Sequence, residues 1–218
     1  AIIGVKDKSA VEKVMKEESD FIVKEYKPID PKFSFSLDNA DAPSQMVSTD
    51  SKNRLLNILQ SLPHGVEKMS YDIDGLVETS TNLAKVTLET DHAHILLSSR
   101  SSIMSALEDL RNHIHAIVLL AGGSVEEEEP YPGWKPDLDS KVLQLGKDLY
   151  KKKYGEEPVV EAIHAGLECG IIGEKFGGMD MISIGPTIKY PHSPEEQVTI
   201  STVDKFYDFV VNILEEIE

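Results

Sequence analysis

The stretch from Gly122 to Gly133 constrains this chain more than any other, because no regular element can run through it. Gly122 and Gly123 stop the helix before them. Glu126 to Glu129 set four like charges side by side, and Pro130, Pro132 and Gly133 block a helix interior or a central strand. This pattern predicts two parts, residues 1–125 and 137–218, joined by a linker at 126–136. A solvated loop inside one domain carries the same local signature. At 218 residues, either arrangement is long enough to enclose a core.

The first part mixes helices and strands. Ser9-Ala10-Val11-Glu12 has the spacing of a capping box, and Val11, Val14, Met15, Ile22 and Tyr26 make one apolar stripe behind it. Lys32 to Leu37 alternates Phe33 and Phe35 with polar neighbours, which predicts a half-buried strand. A short helix is predicted from Asp50 to Leu62, stopped by Pro63-His64-Gly65. Leu83 to Glu89 and Ala93 to Ser98 read as an antiparallel pair turning near Thr90-Asp91. A long helix follows, with Ile103, Leu107, Leu110, Ile114, Ile117 and Ala121 along one face. This order predicts an α+β arrangement, an open antiparallel sheet covered by helices on one face.

The second part reads as α/β. A helix is predicted from Ser140 to Tyr154, with Lys151 to Lys153 set against its C-terminal dipole and Gly155 as its cap. Val159 to Ile163 and Met181 to Ile184 are predicted strands, and Ser201 to Ile217 a final helix with Val203, Tyr207, Val210, Leu214 and Ile217 inward. Their alternation implies parallel strands, and two strands make a poor sheet alone, so this part calls for further strands from elsewhere. The opening Ala1-Ile2-Ile3-Gly4-Val5-Lys6 has neither an initiator methionine nor the basic region of a signal peptide, and is expected to be an internal start.

Charge excludes some functions. Lys and Arg number 22 against 38 Asp and Glu, a net −16 that repels phosphate backbones and anionic lipid. Nucleic-acid and membrane binding are therefore not expected, whereas cations are tolerated. No apolar run nears the roughly 20 residues that span a bilayer. Cys169 is the only cysteine, so no intramolecular disulfide forms, in keeping with a reducing cytoplasm.

Two loops carry the candidate chemistry. The first follows Met181 to Ile184 and runs Gly185-Pro186, then Tyr190-Pro191-His192-Ser193-Pro194-Glu195-Glu196. Function collects beyond the carboxyl ends of strands in α/β sheets, and a neutral imidazole such as His192 suits zinc. From spacing alone, a surface histidine reads the same way, and one histidine is not a metal site. The second is His164-Ala165-Gly166-Leu167-Glu168-Cys169-Gly170, where Gly166 and Gly170 permit close approach of a ligand to the backbone. His164 beside Cys169 also allows a thiol nucleophile with its base, although no third orienting group is evident.

Arg100 closes a strand at the start of the long helix, where a guanidinium and a helix N-terminus would both attract a carboxylate. An ordinary surface arginine is the plainer alternative. His92 and His94 alternate onto one strand face, as a weak metal pair or as half-buried histidines, whereas His113 and His115 diverge on a helix.

At these loops the sequence resembles the aminoacyl-histidine dipeptidases, also called Xaa-His or cytosolic nonspecific dipeptidases. The resemblance lies in Ala162 to Gly170, Asp180 to Ile188 and His192 to Glu196, with Pro132-Gly133-Trp134 and Ser99-Arg100-Ser101-Ser102 in support. It is dense from Pro132 to Glu196 and looser before His92. The resemblance implies the later portion of a lid domain, used for dimerisation, followed by the C-terminal portion of an α/β zinc-peptidase catalytic domain. It also implies two divalent metals, usually zinc, that activate a water, with a glutamate as general base. His192 would be a metal ligand, Arg100 would hold the substrate carboxylate, and Gly166, Glu168 and Gly170 would line the pocket.

The departure from that pattern is equally informative. The family's other metal ligands and its general base have no counterpart here, so the chain alone is expected neither to bind Zn2+ tightly nor to cleave dipeptides. A non-catalytic binding or regulatory module on the same fold and a Cys169-dependent hydrolase are the alternatives. Exposed strand edges imply a homodimer or other self-association.

Overall fold

The computed structural model describes residues 1–128, 130, 132–135, 137–162 and 168–217. Packing divides the chain into two compact units, Ala1–Asn53 and Arg54–Glu218. The segment 126–136 lies inside the second.

In the first unit, α1 (Lys8–Tyr26) starts one residue before the sequence-derived capping box. Asp7, not Ser9, caps it, its carboxylate accepting from the Ala10 N–H at 3.1 Å. The strand expected at Lys32 to Leu37 does not form, because no neighbouring strand offers it a ladder. Phe33 instead packs against Tyr26 (centroids 5.5 Å apart) and Phe35 (5.0 Å). The boundary between the units falls within α2 (Thr49–Ser61), close to its predicted span.

The second unit opens with an antiparallel sheet of β1 (Gly65–Met69), β2 (Val77–Leu88) and β3 (Ala93–Ser101) in that order. The sequence reading located the β2–β3 pair but not β1. The alternating burial of β3 turns Ile95, Leu97, Ser99 and Ser101 to one face, on which α3 (Met104–Leu120) lies. Leu62, Leu110 and Ile114 form the core there, with Leu83, Ile95 and Leu97 packed against them. A register shift between Leu83 and Lys85 places Ala84 as an extra residue, so that Leu83 pairs with Leu97 and Lys85 with Leu96.

Further along, α4 (Lys141–Tyr154) matches its predicted span and its Gly155 cap, with Ser140 as the N-cap. Ser140 Oγ accepts from the Leu143 N–H at 3.0 Å, and Gly155 takes the left-handed conformation (φ 75°) that favours glycine. α5 (Glu168–Phe176) follows, then a small antiparallel hairpin of β4 (Ile188–Lys189) and β5 (Gln197–Val198). One turn of 3-10 helix, Ile200–Thr202, leads into α6 (Val203–Glu216).

The parallel strands expected in this half are not observed among the described residues. Val159 to Ala162 and Met181 to Ile184 form no ladder, because no strand lies beside either. Ile163 lies outside the described residues. The fold is mixed helix and sheet, and its observed sheets are antiparallel. No described helix is long and apolar enough to cross a membrane.

Gly146 on α4 lets α6 approach, with Phe209 and Ile213 in ordinary contact range of a β-carbon there. Around that contact, Tyr150 packs edge-on to Phe209, and Lys205 Nζ lies 4.3 Å from the Tyr154 ring centre and donates to Tyr150 OH at 2.7 Å.

Candidate functional site

The sequence points to His192, Arg100, Gly166, Glu168 and Gly170, which the fold distributes over three places. Arg100 is the penultimate residue of β3, paired with Ser80. Strand alternation turns it to the exposed face of the sheet, opposite Ser101. The start of α3 therefore does not share its face, and the joint receptor of guanidinium and helix N-terminus is not formed. What remains is an exposed guanidinium on a firmly held strand end. Ser101 Oγ lies 2.9 Å from Thr79 Oγ1 and accepts from the Ile103 N–H at 3.0 Å, while Ser102 N–H donates to Glu78 O at 3.2 Å. On the neighbouring strand, the buried Glu78 carboxylate pairs with Lys68 Nζ at 2.9 Å, a hydrogen bond that raises the lysine's pKa.

Glu168 and Gly170 sit in the first turn of α5, Glu168 exposed and Gly170 buried. Gly166 and His164 lie outside the described residues. Cys169 is half-buried beside Gly170. The Pro132–Gly133 backbone passes directly over Gly170 on one side and touches Ser101 and Ser102 on the other. The structure thus joins the Arg100 strand end to the start of α5 through a segment that the sequence marked as a linker and, at Pro132-Gly133-Trp134, as part of the family resemblance.

His192 occupies the loop of the β4–β5 hairpin, exposed. Both Tyr190 (φ 54°) and His192 (φ 63°) adopt the left-handed conformation, uncommon for residues with a β-carbon. Side chains of the loop itself hold that shape. His192 N–H donates to Glu196 Oε2 at 2.7 Å, Ser193 Oγ to Tyr190 O at 2.8 Å, and Glu195 N–H to Ser193 Oγ at 3.2 Å. Outside the loop, Thr187 N–H donates to Thr202 Oγ1 at 2.9 Å, which ties the hairpin to the start of α6. A turn so constrained presents the imidazole in a defined direction.

As a test of metal fit, no three His, Cys, Asp or Glu side chains gather into a cation site among the described residues. One imidazole does not hold a pair of metal ions, so the described donor set does not fit a two-metal centre by itself. His92 and His94 gather no third ligand among the described residues; Asp91 bonds His92 Nδ1 at 2.7 Å, which raises the imidazole's pKa.

Two groups escaped the sequence reading. Asp180 accepts from the Val142 N–H at 3.0 Å at the N-terminus of α4, and its pKa is lowered by the Ser140 hydroxyl first and by that N–H second. Glu127 accepts from Arg111 Nε at 2.9 Å and from His115 Nε2 at 3.0 Å, and the guanidinium holds its carboxyl below the usual range. Neither has a local signal: each partner is more than ten positions away.

No family model matches the chain. Its fold is that of a class of peptidases. An aminopeptidase from Bacillus cereus superposes with a TM-score of 0.58 at 22% identity, over 76% of this chain and 45% of that one. An aminoacylhistidine dipeptidase from Vibrio alginolyticus is far more similar, with a TM-score of 0.82 at 36% identity over 96% of this chain and 43% of that one. A cytosol non-specific dipeptidase of Escherichia coli (strain K12) is 36% identical over 181 residues, 83% of this chain and 37% of the relative. The chain belongs to the aminoacylhistidine dipeptidase family. It spans well under half the length of these two relatives.

Proposed function

We propose that this chain is part of a metal-dependent dipeptidase and forms one wall of its active site. The observation that carries the proposal is the 36% identity to an aminoacylhistidine dipeptidase within a superposition covering 96% of the chain. On this reading residues 1–125 are lid, 137–218 belong to the catalytic domain, and 126–136 join them.

Each site residue then has a task its position suits. The exposed Arg100 guanidinium takes the substrate's terminal carboxylate through two parallel N–H bonds. Glu168, exposed at the start of α5, lines the pocket together with Gly166, whereas Gly170, buried under the Pro132 carbonyl, shapes that wall from behind and does not meet the substrate itself. His192 contributes one imidazole toward a divalent ion, with Zn2+ the expected metal. A complete centre and a general base require ligands beyond these, so the chain binds and orients substrate but does not hydrolyse it alone. Its acidity and single cysteine fit a cytoplasmic setting without nucleic-acid or membrane partners, and the open edges of its sheet fit self-association.

The test is a dipeptidase assay on the purified chain with added zinc and an Xaa-His dipeptide. No turnover is expected, and rates in the ordinary enzyme range of about 1–1000 per second would overturn the proposal. In a complete dipeptidase carrying this sequence, Arg100→Ala is expected to raise KM for dipeptides while leaving dipeptide amides nearly unaffected. Equal losses on both would remove Arg100 from its assigned role.

A further inference from the structure

The segment read as a linker is clamped at both ends. Near its start, Glu127 is held by Arg111 and His115 of α3. At its far end, Lys135 Nζ lies 2.5 Å from Asp72 in the turn between β1 and β2. Between these anchors, a β-carbon does not fit at Gly133. A β-carbon on Gly133 would fall 2.5 Å from the Ser101 carbonyl oxygen and 3.1 Å from Ser102 Cα. A β-carbon on Gly170 would overlap the Pro132 carbonyl oxygen. These neighbours are backbone atoms, so no rotamer change relieves the clash. Ser101 cannot yield easily, being buried and bonded to Thr79 and Ile103.

We infer that Gly133 and Gly170 are positioning residues, a backbone joint that sets the spacing between Arg100 and the start of α5. Three segments meet there without side chains between them: the end of β3, the Pro132–Gly133 crossing and the first turn of α5. Arg100 immediately precedes Ser101, so the joint determines how far a carboxylate held at Arg100 lies from the pocket wall. That consequence rests on the proposed dipeptidase function, whereas the joint itself does not.

Trp134, the only tryptophan, is half-buried next to Gly133 and reports on the joint directly. In the chain as it stands, Gly133→Ala and Gly170→Ala are each expected to raise acrylamide quenching of Trp134 by roughly twofold or more. Hydrogen exchange should quicken together at Ser101, Ser102 and α5, while Leu110 and Ile114 keep their protection. Gly146→Ala, whose added carbon meets only ordinary contacts, should leave Trp134 unchanged. Unaltered quenching and exchange in both joint variants would overturn the inference, as would equal loosening of α3, which would make the glycines merely stabilising. If the alanine variants do not fold, Lys135→Met loosens the same crossing from its far end. A rise in Trp134 quenching there supports the joint, and none overturns it. None of these readouts is an activity, so failure of the joint and failure of the dipeptidase reading are separate results.

Discussion

The two layers of the Arg54–Glu218 unit bury their helices by different means. α3 rests on the sheet, and Leu83, Ile95 and Leu97 of the strands with Ile58, Ile117 and Val118 of the helices pack around Leu62, Leu110 and Ile114. Among the described residues α4 and α6 pack mainly on each other, with Ile182 beside Gly146 but no sheet beneath them. Ile213 is buried between them, Tyr150, Tyr154, Phe209 and Lys205 form the rim, and Val159, Ile184 and Ile188 stay exposed. A sheet offers a broad apolar surface because its ladder satisfies every backbone group within it. A helix pair offers a seam and leaves one side open. The second layer therefore has the apolar residues of an α/β domain but, among the described residues, no sheet to cover them.

The largest expected effect tests that contrast directly. Leu110 and Ile213 are buried to the same degree, 6% and 5% exposed, so a difference in their cost reads the surroundings. Leu110→Ala should cost about 3–4 kcal/mol and Ile213→Ala about 2 kcal/mol, because the open layer relaxes around the lost atoms while the closed one keeps a cavity. Urea unfolding of both variants measures this, and equal losses would erase the contrast.

A smaller effect concerns the ends of α4. Asp180→Asn should cost about 0.5–1 kcal/mol by weakening the bonds at the helix start. The carboxyl's lowered pKa fixes the sign with pH. Its contribution is complete above the ordinary aspartate value of 3.8 and is lost as pH falls through the lower folded value. Protection of the Val142 amide, taken relative to its intrinsic exchange rate at each pH, should therefore fall only in acid, and unchanged protection across that range would remove Asp180 from this role.

The smallest effect falls on the clamped segment between the layers. Glu127 is depressed by the Arg111 guanidinium first and His115 second, so its hold persists above pH 4.5 and fades as pH falls through its folded value. The pair is part-exposed and should be worth under about 1 kcal/mol. Trp134 emission should shift in that acid range and lose the shift in Glu127→Gln. A shift that survives the substitution would place the acid response elsewhere.

Much of the sheet layer was legible from adjacent residues. The β2–β3 hairpin showed in its alternation and its Thr90-Asp91 turn, and α3 in its apolar stripe. The site was legible only as a set of residue types. Arg100, Glu168, Gly170 and His192 were picked out, yet nothing local tells that Arg100 faces away from α3. That face follows from pairing and parity along β3. Gly133 announced itself as a breaker, when its main property is that Ser101 and Ser102 lie against it.

The sequence by itself determined α2, α3, α4 and α6 to within a few residues, with Gly155 closing α4, and it determined the family. A helix closes its hydrogen bonds within a few residues, so its evidence lies in neighbouring letters. Tertiary structure alone decided whether Lys32–Leu37, Val159–Ala162 and Met181–Ile184 became strands, and none did among the described residues. A strand closes its hydrogen bonds on another segment, and where no such segment lies alongside, the same apolar pattern leaves an extended chain without a sheet.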